Sequence, residues 1–378
     1  MVRRKNTNVD NKAYRFRLLP NAEQIVLINK TFGCVRFIYN NLLSDKNDYY
    51  KKTGKSLKKE VSEYKKDHSF LKEVDSLALA NAKINLETSF RNFFEKRTKF
   101  PKFHKKGYND SYATNNVNDN IEIVQQGIKL PKLGVVKAKL HRTIGKDEKI
   151  KSCTISRSAD KYYISIITEM PKSNIPKVDV KSISDDRIIG FDFSVPHFYV
   201  DSFGNEINYP QYYRKMEKKL QKEQKKLSRK EYRSNNYYKQ LYIVQKLHTK
   251  VMNQRKDFLH KLSKSLVDNY DILCFEDIDL SELKKSLRFG KSISDEGFGM
   301  FRDFVQYKAE RNGKYFVKIN KWFASTKTCS HCGYKNNDIT LETRKWLCPN
   351  CNTLHNRDHN AAINIKTQGL LIVLSNCA

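Results

Sequence analysis

The sequence has no long apolar run and carries little negative charge. Its longest apolar stretch is LLIVL at 370–374, whereas a membrane helix needs about 20 apolar residues. The N-terminal residues are basic and then polar, without the apolar segment of a signal peptide. We therefore expect neither a membrane protein nor a secreted one, and we expect a cytoplasmic location.

Cysteines are few, and half of them lie close together. The sequence has eight cysteines, of which four form two Cys-x-x-Cys pairs. Two such pairs can present four thiolates to one tetrahedral ion, which predicts one structural Zn²⁺ rather than a disulfide framework. Because four thiolates close the shell, His331 and His355 are not expected to be ligands. The predicted ligands are Cys329, Cys332, Cys348 and Cys351.

The scarcity of acidic residues gives the chain a large positive charge. Against 41 Asp and Glu stand 72 Lys and Arg, a formal net charge of +31 over 378 residues. Phosphate backbones neutralise such a surface by counterion release, which makes nucleic acid the expected partner. The alternative is a solvated basic surface without a dedicated partner. The length predicts two or three domains.

The most basic segment spans residues 214–264, with 17 Lys and Arg against four acidic residues. Apolar positions recur in it at helical spacing, which predicts a helix pair with phosphate-contacting faces. A second basic segment, mixed with aromatic residues, covers 100–106. The candidates for phosphate contact in the two segments are Lys102, Lys105, Lys225, Lys226, Arg229, Arg255 and Lys256.

Hydrophobic periodicity predicts a strand at 13–18 and a helix that begins after Asn21, with Gln24 completing a capping box. A second helix is predicted at about 77–97. Beside its apolar stripe runs a row of uncharged polar side chains, which could pair with base edges or simply face water. The row consists of Asn81, Asn85, Thr88 and Asn92.

In residues 111–170 the apolar residues recur with a period of two, which is typical of strands. Strands are predicted at 121–124, 135–140, 150–156 and 162–167, and short strands without helices favour a small barrel. A polar linker follows, and then a predicted hairpin at 188–193 and 197–201 opens a new domain.

Three carboxylates lie at the ends of predicted elements. Asp192 and Glu276 each end an apolar strand, and Asp358 lies where a helix is predicted to begin. A carboxylate at a strand end is usually structural. Three in this arrangement favour an RNase H-type sheet that holds two Mg²⁺ ions for phosphodiester hydrolysis.

Several motifs together resemble the TnpB (OrfB) family, the insertion-sequence-encoded RNA-guided nucleases related to type V CRISPR effectors. The resemblance covers most of the chain. Its motifs are YRFRLLP (14–20), FGCVRFIYN (32–40), FPKF (100–103), RKDFLHKLS (255–263), FEDI (275–278), STKTCSHCG (325–333) and NRDHNAA (356–362).

The resemblance implies an α+β multidomain fold. It divides the chain into a wedge barrel (1–20 and 105–183), a helical recognition lobe (21–104), a RuvC-like nuclease (184–322 and 355–378) and a zinc ribbon (323–354). It makes Asp192, Glu276 and Asp358 the catalytic triad. One departure from the family is that Ser194 and Pro196 stand where members usually have Gly and often Lys.

The partners implied are a guide RNA from the element's own end and a duplex DNA target next to a short flanking motif, in the nucleoid of a prokaryotic cell. Base pairing would read most of the target sequence. Three alternatives remain: a guided repressor without nuclease activity, a DNA strand transferase, and an RNA-binding zinc-ribbon protein. The oligomeric state stays open.

Overall fold

The computed structural model describes residues 9–171, 175–194, 197–278, 297–340 and 342–377. These residues form two compact units. Unit 1 contains the described residues up to 171 together with Lys230–Lys246, and unit 2 contains the remainder. None of the helices in the described ranges is long and apolar enough to cross a membrane.

Unit 1 contains one antiparallel sheet with the strand order β2-β6-β7-β1-β5-β4-β3. Alternating side chains of β1, such as Tyr14, Phe16 and Leu18, enter its core. The strands are β1 (Val9–Leu19), β2 (Ser111–Asn115), β3 (Glu122–Val124), β4 (Gly127–Leu130), β5 (Gly134–Lys139), β6 (Lys149–Ser158) and β7 (Lys161–Pro171).

All four strands predicted in 111–170 are confirmed, but β2 and β4 were missed. β2 consists mainly of polar and small residues, and β4 has only four residues, so neither carries a clear alternating pattern. The pairing begins at β2 and ends at β3 without joining them in the described part of the chain. A closed barrel therefore stays a prediction.

The helices of unit 1 are α1 (Ala22–Thr53), α2 (Val61–Asp67) and α3 (Ser76–Phe94). The predicted capping box of α1 is confirmed: Asn21 Oδ1 accepts from Gln24 N at 2.8 Å, and Gln24 Oε1 accepts from Asn21 N at 3.0 Å. Ile28 of α1 packs into the sheet core, whereas Leu42 packs with Leu79 of α3. α1 thus joins the sheet to the other helices.

Unit 2 is built on a five-stranded sheet with the order β10-β9-β8-β11-β12. β11 is parallel to both β8 and β12, whereas β9 is antiparallel to β8, which confirms the predicted hairpin. The strands are β8 (Ile188–Asp192), β9 (Tyr199–Asp201), β10 (Glu206–Ile207), β11 (Ile272–Glu276) and β12 (Tyr315–Ile319).

Helices cover both faces of this sheet. The helices of unit 2 are α4 (Tyr212–Ser228), the part of α5 (Asn235–Asn269) that follows residue 246, α6 (Phe298–Arg311) and α7 (Arg357–Cys377). On one face, Phe191 and Phe275 pack against Phe301 of α6. On the other face, Ile365 and Val373 of α7 pack against β8, β11 and β12. Leu370, Ile372 and Val373 of the apolar stretch at 370–374 therefore belong to this core, whereas Leu371 and Leu374 are exposed.

Two glycines set how closely α7 approaches the sheet. A Cβ on Gly190 of β8 would lie 2.2 Å from the Ala362 carbonyl oxygen of α7. A Cβ on Gly369 of α7 would lie 2.2 Å from Cys274 Sγ of β11. Since contacts this short are not tolerated, both positions need glycine.

The division between the units falls before residue 175, earlier than the predicted boundary at 183. Val180 and Ile183 explain the difference, because both pack in the core of unit 2. The six-segment division otherwise stays a prediction.

Candidate functional site

Two of the predicted carboxylates lie at one edge of the unit 2 sheet. Asp192 is the last residue of β8 and Glu276 the last residue of β11, and their preceding residues, Phe191 and Phe275, are paired in register. The strands are parallel, so their carboxyl ends meet at the same edge, where α/β sheets form binding sites. Asp358 comes to them from the first turn of α7.

Asp192 interacts electrostatically with the other two carboxylates. Burial raises the pKa of Asp192 well above its usual value, and the negative charges of Asp358 and Glu276 raise it further, while Arg357 lowers it. Burial also raises the pKa of Glu276. Buried acidic groups that repel one another are stabilised by a bound cation, and their oxygens are the hard ligands that Mg²⁺ prefers. The chemistry of the donor set therefore fits Mg²⁺, but the three carboxylates do not all lie within 4.8 Å of one another, as the four cysteine sulfurs do.

Asp358 is held by its neighbours through both oxygens. Arg357 donates to Oδ1 from Nε at 3.0 Å and from Nη2 at 2.9 Å. Arg344 Nη1 lies 3.7 Å from Oδ2. The hydroxyl of Ser194 donates to the same Oδ2 at 3.2 Å. Ser194, the departure from the family pattern, thus contacts a predicted catalytic residue, whereas Pro196 lies outside the described residues.

The four predicted zinc ligands come together. Their sulfurs all lie within 4.8 Å of one another, and Cys329–Cys351 and Cys332–Cys348 each have Sγ atoms 3.6 Å apart. Four sulfurs about 2.3 Å from one zinc would be separated by about 3.8 Å. The cysteines are free thiols, so the cluster can hold a metal ion.

Polar groups around the sulfurs favour thiolates at two of the four positions. A hydrogen bond from Thr353 lowers the pKa of Cys351 to about 5, and one from Asn350 lowers the pKa of Cys332. In contrast, burial raises the pKa of Cys329 to about 12. His355 Nε2 lies 3.0 Å from Cys329 Sγ, the position of an outer partner of a metal ligand.

The cysteine cluster and the carboxylate site share α7. β13 (Lys345–Leu347) pairs with β14 (Leu354–Asn356), which leads directly into α7. Further along α7, Asn360 Nδ2 donates to the Thr328 carbonyl at 2.7 Å, and Asn364 Nδ2 donates to the same carbonyl at 2.6 Å. The cluster is therefore attached to the helix that carries Asp358.

The polar row on α3 is not uniform. Asn81 is half-buried, and its Nδ2 donates to the Ala113 carbonyl of β2 at 3.0 Å. Asn85 is exposed, while Thr88 and Asn92 are half-buried. Asn85 is thus the member of the row most accessible to a base edge.

The phosphate-contact candidates differ in exposure. Arg255 and Lys256 are half-buried and have partners within the protein; Arg255 Nε donates to Tyr209 Oη at 3.4 Å. Lys226 pairs with Glu223 at 2.8 Å. The exposed candidates are Lys102, Lys105, Lys225, Lys226 and Arg229.

Sequence reasoning missed the contacts of Arg344, Arg357, Asn360 and Asn364. The two asparagines are spaced i, i+4, which places them on one helix face and was a usable signal. Nothing in the sequence indicated that Arg344 lies near Asp358, because their contact depends on the fold of the cysteine-bearing segment.

Comparison with known families agrees with these features. A family model described as "Probable transposase" (OrfB_IS605) matches residues 165–287. A "Cas12f1-like, TNB domain" model matches residues 298–365, and a "Helix-turn-helix domain" model of the OrfB group matches residues 10–55.

Relatives match over nearly the whole length. One from Streptomyces pristinaespiralis, named as an RNA-guided DNA endonuclease, is 30% identical over 95% of this chain and 89% of its own length. The chain belongs to the TnpB (OrfB) family. A second member of that family, InsQ of Escherichia coli K12, also named as an RNA-guided DNA endonuclease, is 28% identical over 95% of this chain and 92% of its own.

The TnpB chain also resembles a solved structure. The Cas12f1 protein in its complex with single guide RNA and target DNA aligns with 95% of this chain and 99% of that chain, with a TM-score of 0.56 and 14% identity. At this identity, the likeness concerns the fold.

Proposed function

We propose that this TnpB protein is an RNA-guided DNA endonuclease that hydrolyses phosphodiesters of guide-matched DNA next to a short flanking motif. The observation that carries the proposal is that Asp192 and Glu276 end neighbouring parallel strands, and that Asp358 of α7 is close enough to raise the pKa of Asp192. The names of the full-length relatives support it. Such an enzyme would act where the DNA is, in the nucleoid.

The five-stranded sheet with α7 would be the RuvC-like nuclease, and the sheet of unit 1 the wedge domain. Acidic residues at the ends of neighbouring parallel strands support the first assignment. Asp192, Glu276 and Asp358 would hold two Mg²⁺ ions, which supply Lewis acidity and a water nucleophile at neutral pH. The residues around the site would fix the carboxylates for this task.

Asp192, Ser194 and Arg357 have separate roles in the proposed metal site. Burial of Asp192 keeps its carboxylate away from bulk water. Ser194 and Arg357 hold opposite oxygens of Asp358, which limits rotation of its carboxylate. Ligands held by such partners lose less conformational entropy when a cation binds.

The cysteine cluster would bind one Zn²⁺ as a structural ion. Its four sulfurs leave no position for substrate, so the cluster would stabilise the ribbon rather than take part in hydrolysis. The attachment of this ribbon to α7 would help to fix the direction in which Asp358 points.

Guide RNA and DNA would be held mainly through phosphates. The net charge of +31 supports binding of phosphates by the protein, while base pairing with the guide reads the target sequence. Among the earlier candidates, Lys102, Lys105, Lys225, Lys226 and Arg229 are exposed, and Asn85 remains a candidate reader of the flanking motif.

A DNA strand transferase is the second candidate, because one matching family model is described as "Probable transposase". The two candidates differ in their products. An endonuclease leaves free cut ends, whereas a transferase joins a cut end to another DNA strand.

The deciding experiment uses Asp192→Asn in the protein purified with its RNA. We expect DNA binding to persist and cleavage to disappear, because the amide cannot replace a charged metal ligand. Asp186→Asn, an exposed acidic residue of the same unit, is the control and should cut normally. Cleavage by the Asp192 variant would refute the catalytic assignment, and joined products would favour the transferase.

A further inference from the structure

Trp322 is 80% exposed, more than any other large hydrophobic residue described. Single exposed apolar residues are common and by themselves carry little information. Trp322 differs from an ordinary surface residue in two respects, its anchoring and its position.

The turn that carries Trp322 is closed by two hydrogen bonds to Asn320. Trp322 N donates to Asn320 Oδ1 at 2.9 Å, and Phe323 N donates to the Asn320 carbonyl at 3.0 Å. The next side chain, Phe323, packs against the core under α7. The indole is therefore presented by an anchored backbone, so little conformational entropy would be lost when it binds a ligand.

The turn also lies at the edge of the sheet that holds the carboxylates. Ile319, the last residue of β12, pairs in parallel register with Glu276. Three residues of chain and one strand spacing therefore separate Trp322 from Glu276, which puts their Cα atoms within about 15 Å of each other.

A cation accompanies the ring. Lys321 Nζ lies 4.7 Å from the centroid of the Trp322 ring. An aromatic ring with a lysine beside it can bind a single-stranded nucleotide, the ring stacking on the base and the ammonium pairing with the phosphate. Stacking requires an unpaired base, because bases in a duplex are already stacked on both faces.

We propose that Trp322 is a stacking platform for an unpaired base of the DNA strand that enters the carboxylate site, with Lys321 on the adjoining phosphate. The inference rests on the proposed nuclease function and adds a contact that positions the strand. It predicts that a base stacks within a few nucleotides of the bond to be cut.

The chain offers an internal probe for this contact. It has two tryptophans, and the second, Trp346, is 6% exposed in the ribbon beside His355. Stacking of a base on Trp322 should therefore quench the exposed indole and leave Trp346 unchanged. The experiment adds a thymidine oligonucleotide of about 15 nucleotides to the RNA-loaded Asp192→Asn protein, which cannot cut it, and follows tryptophan emission.

We expect quenching in the protein with both tryptophans and none in Trp322→Phe. Binding should weaken roughly 5- to 150-fold in Trp322→Ala, the range for loss of one stacked base, while Trp322→Phe keeps most of the affinity. Emission from Trp346 reports that each variant is folded. Equal affinity of the Trp322→Ala variant, or absence of quenching, would overturn the proposal.

Phe203 provides a matched control. It is 44% exposed and also has a lysine near its ring, with Lys366 Nζ 5.2 Å from the centroid. It stacks on Tyr270, which precedes β11 and so lies at the opposite edge of the sheet. Phe203→Leu should leave quenching and affinity unchanged.

The outcomes separate this inference from the proposed function. If the wild-type complex never cuts DNA but its emission still falls, the endonuclease assignment fails and the platform stands. If the complex cuts DNA and the emission is unaffected, the platform fails alone. If emission falls on RNA loading and DNA changes nothing further, RNA occupies Trp322 and the inference is wrong.

Discussion

The hydroxyl of Ser194 donates a hydrogen bond to Oδ2 of Asp358 at 3.2 Å, joining residues 164 positions apart in the sequence. Ser194 is 4% exposed and Asp358 8% exposed, so water does not replace the contact easily. A hydrogen bond to a charged group contributes about 1.5–3 kcal/mol. This contact therefore has measurable consequences for the site.

Ser194→Ala should lower DNA cleavage roughly ten- to hundredfold, the kinetic equivalent of that hydrogen bond. The Mg²⁺ concentration for half-maximal cleavage should rise, because Asp358 is then oriented by fewer partners. A Mg²⁺ titration of cleavage measures both effects. Ser263→Ala is the control, because this buried hydroxyl donates to the Leu259 carbonyl of α5. An unchanged Mg²⁺ midpoint in Ser194→Ala would show that the hydrogen bond between Ser194 and Asp358 is only structural.

Glu148 in unit 1 should make stability depend on pH. Burial alone would raise its pKa, but hydrogen bonds from Thr168, Tyr14 and Lys12 outweigh it and lower the pKa to about 2. The charged form is therefore favoured by folding. Its contribution, about 3 kcal/mol, is complete above pH 4.5 and is lost as the pH falls from 4.5 to about 2.

Glu148→Gln should remove roughly 2–3 kcal/mol from the free energy of unfolding of unit 1 at pH 7 and flatten its dependence below pH 4.5. Hydrogen exchange in peptides of β1 and β7 measures this. Glu169→Gln on β7 is the control, because its pair with Lys151 is exposed and contributes less than about 1 kcal/mol. Equal losses in both variants would contradict the prediction.

Removal of zinc should impair cleavage without affecting the Mg²⁺ site directly. Thiolates prefer zinc, and β14 leads from the ribbon into α7, so a chelator that strips zinc should loosen Asp358. Cleavage should fall in proportion to the loss of bound zinc, which metal analysis measures. It should return when Zn²⁺ is added back, but not when the Mg²⁺ concentration is raised. Full activity at zero bound zinc would refute the coupling.

The polar row on α3 should separate into two kinds of residue. Asn81→Ala removes the hydrogen bond to the Ala113 carbonyl and should cost unit 1 about 1 kcal/mol of stability. Asn85→Ala should leave stability unchanged and, if Asn85 reads the flanking motif, alter the preference in a motif-depletion assay. An unchanged preference would remove Asn85 from the candidates.

The parts of the fold that follow local rules could be predicted from the sequence. These are the capping box at Asn21, the hairpin that begins with β8 and the cluster of four cysteines. Each depends on residues close together in the sequence, and the structure confirms all three. The meeting of Asp192 and Glu276 at one edge was expected because three carboxylates at the ends of predicted elements favour an RNase H-type sheet, in which neighbouring strand ends converge.

Other features could not be predicted because they depend on tertiary contact. Asn81 was placed in a polar row, but only the position of β2 shows that its amide is already bonded. The sequence shows that Ser194 departs from the family pattern. Its hydrogen-bond partner, Asp358, is known only once α7 is placed against the sheet. The short strands β2 and β4 are stabilised by their neighbours rather than by their own pattern.

The missing side chain at Gly190 has a consequence for how this enzyme can change. Because a Cβ at position 190 would lie 2.2 Å from the Ala362 carbonyl oxygen, any larger residue there would push α7 away from β8. The strand that ends in Asp192 and the helix whose first turn carries Asp358 would then move apart. Position 190 is therefore closed to other residues, although glycine supplies no ligand atom of its own.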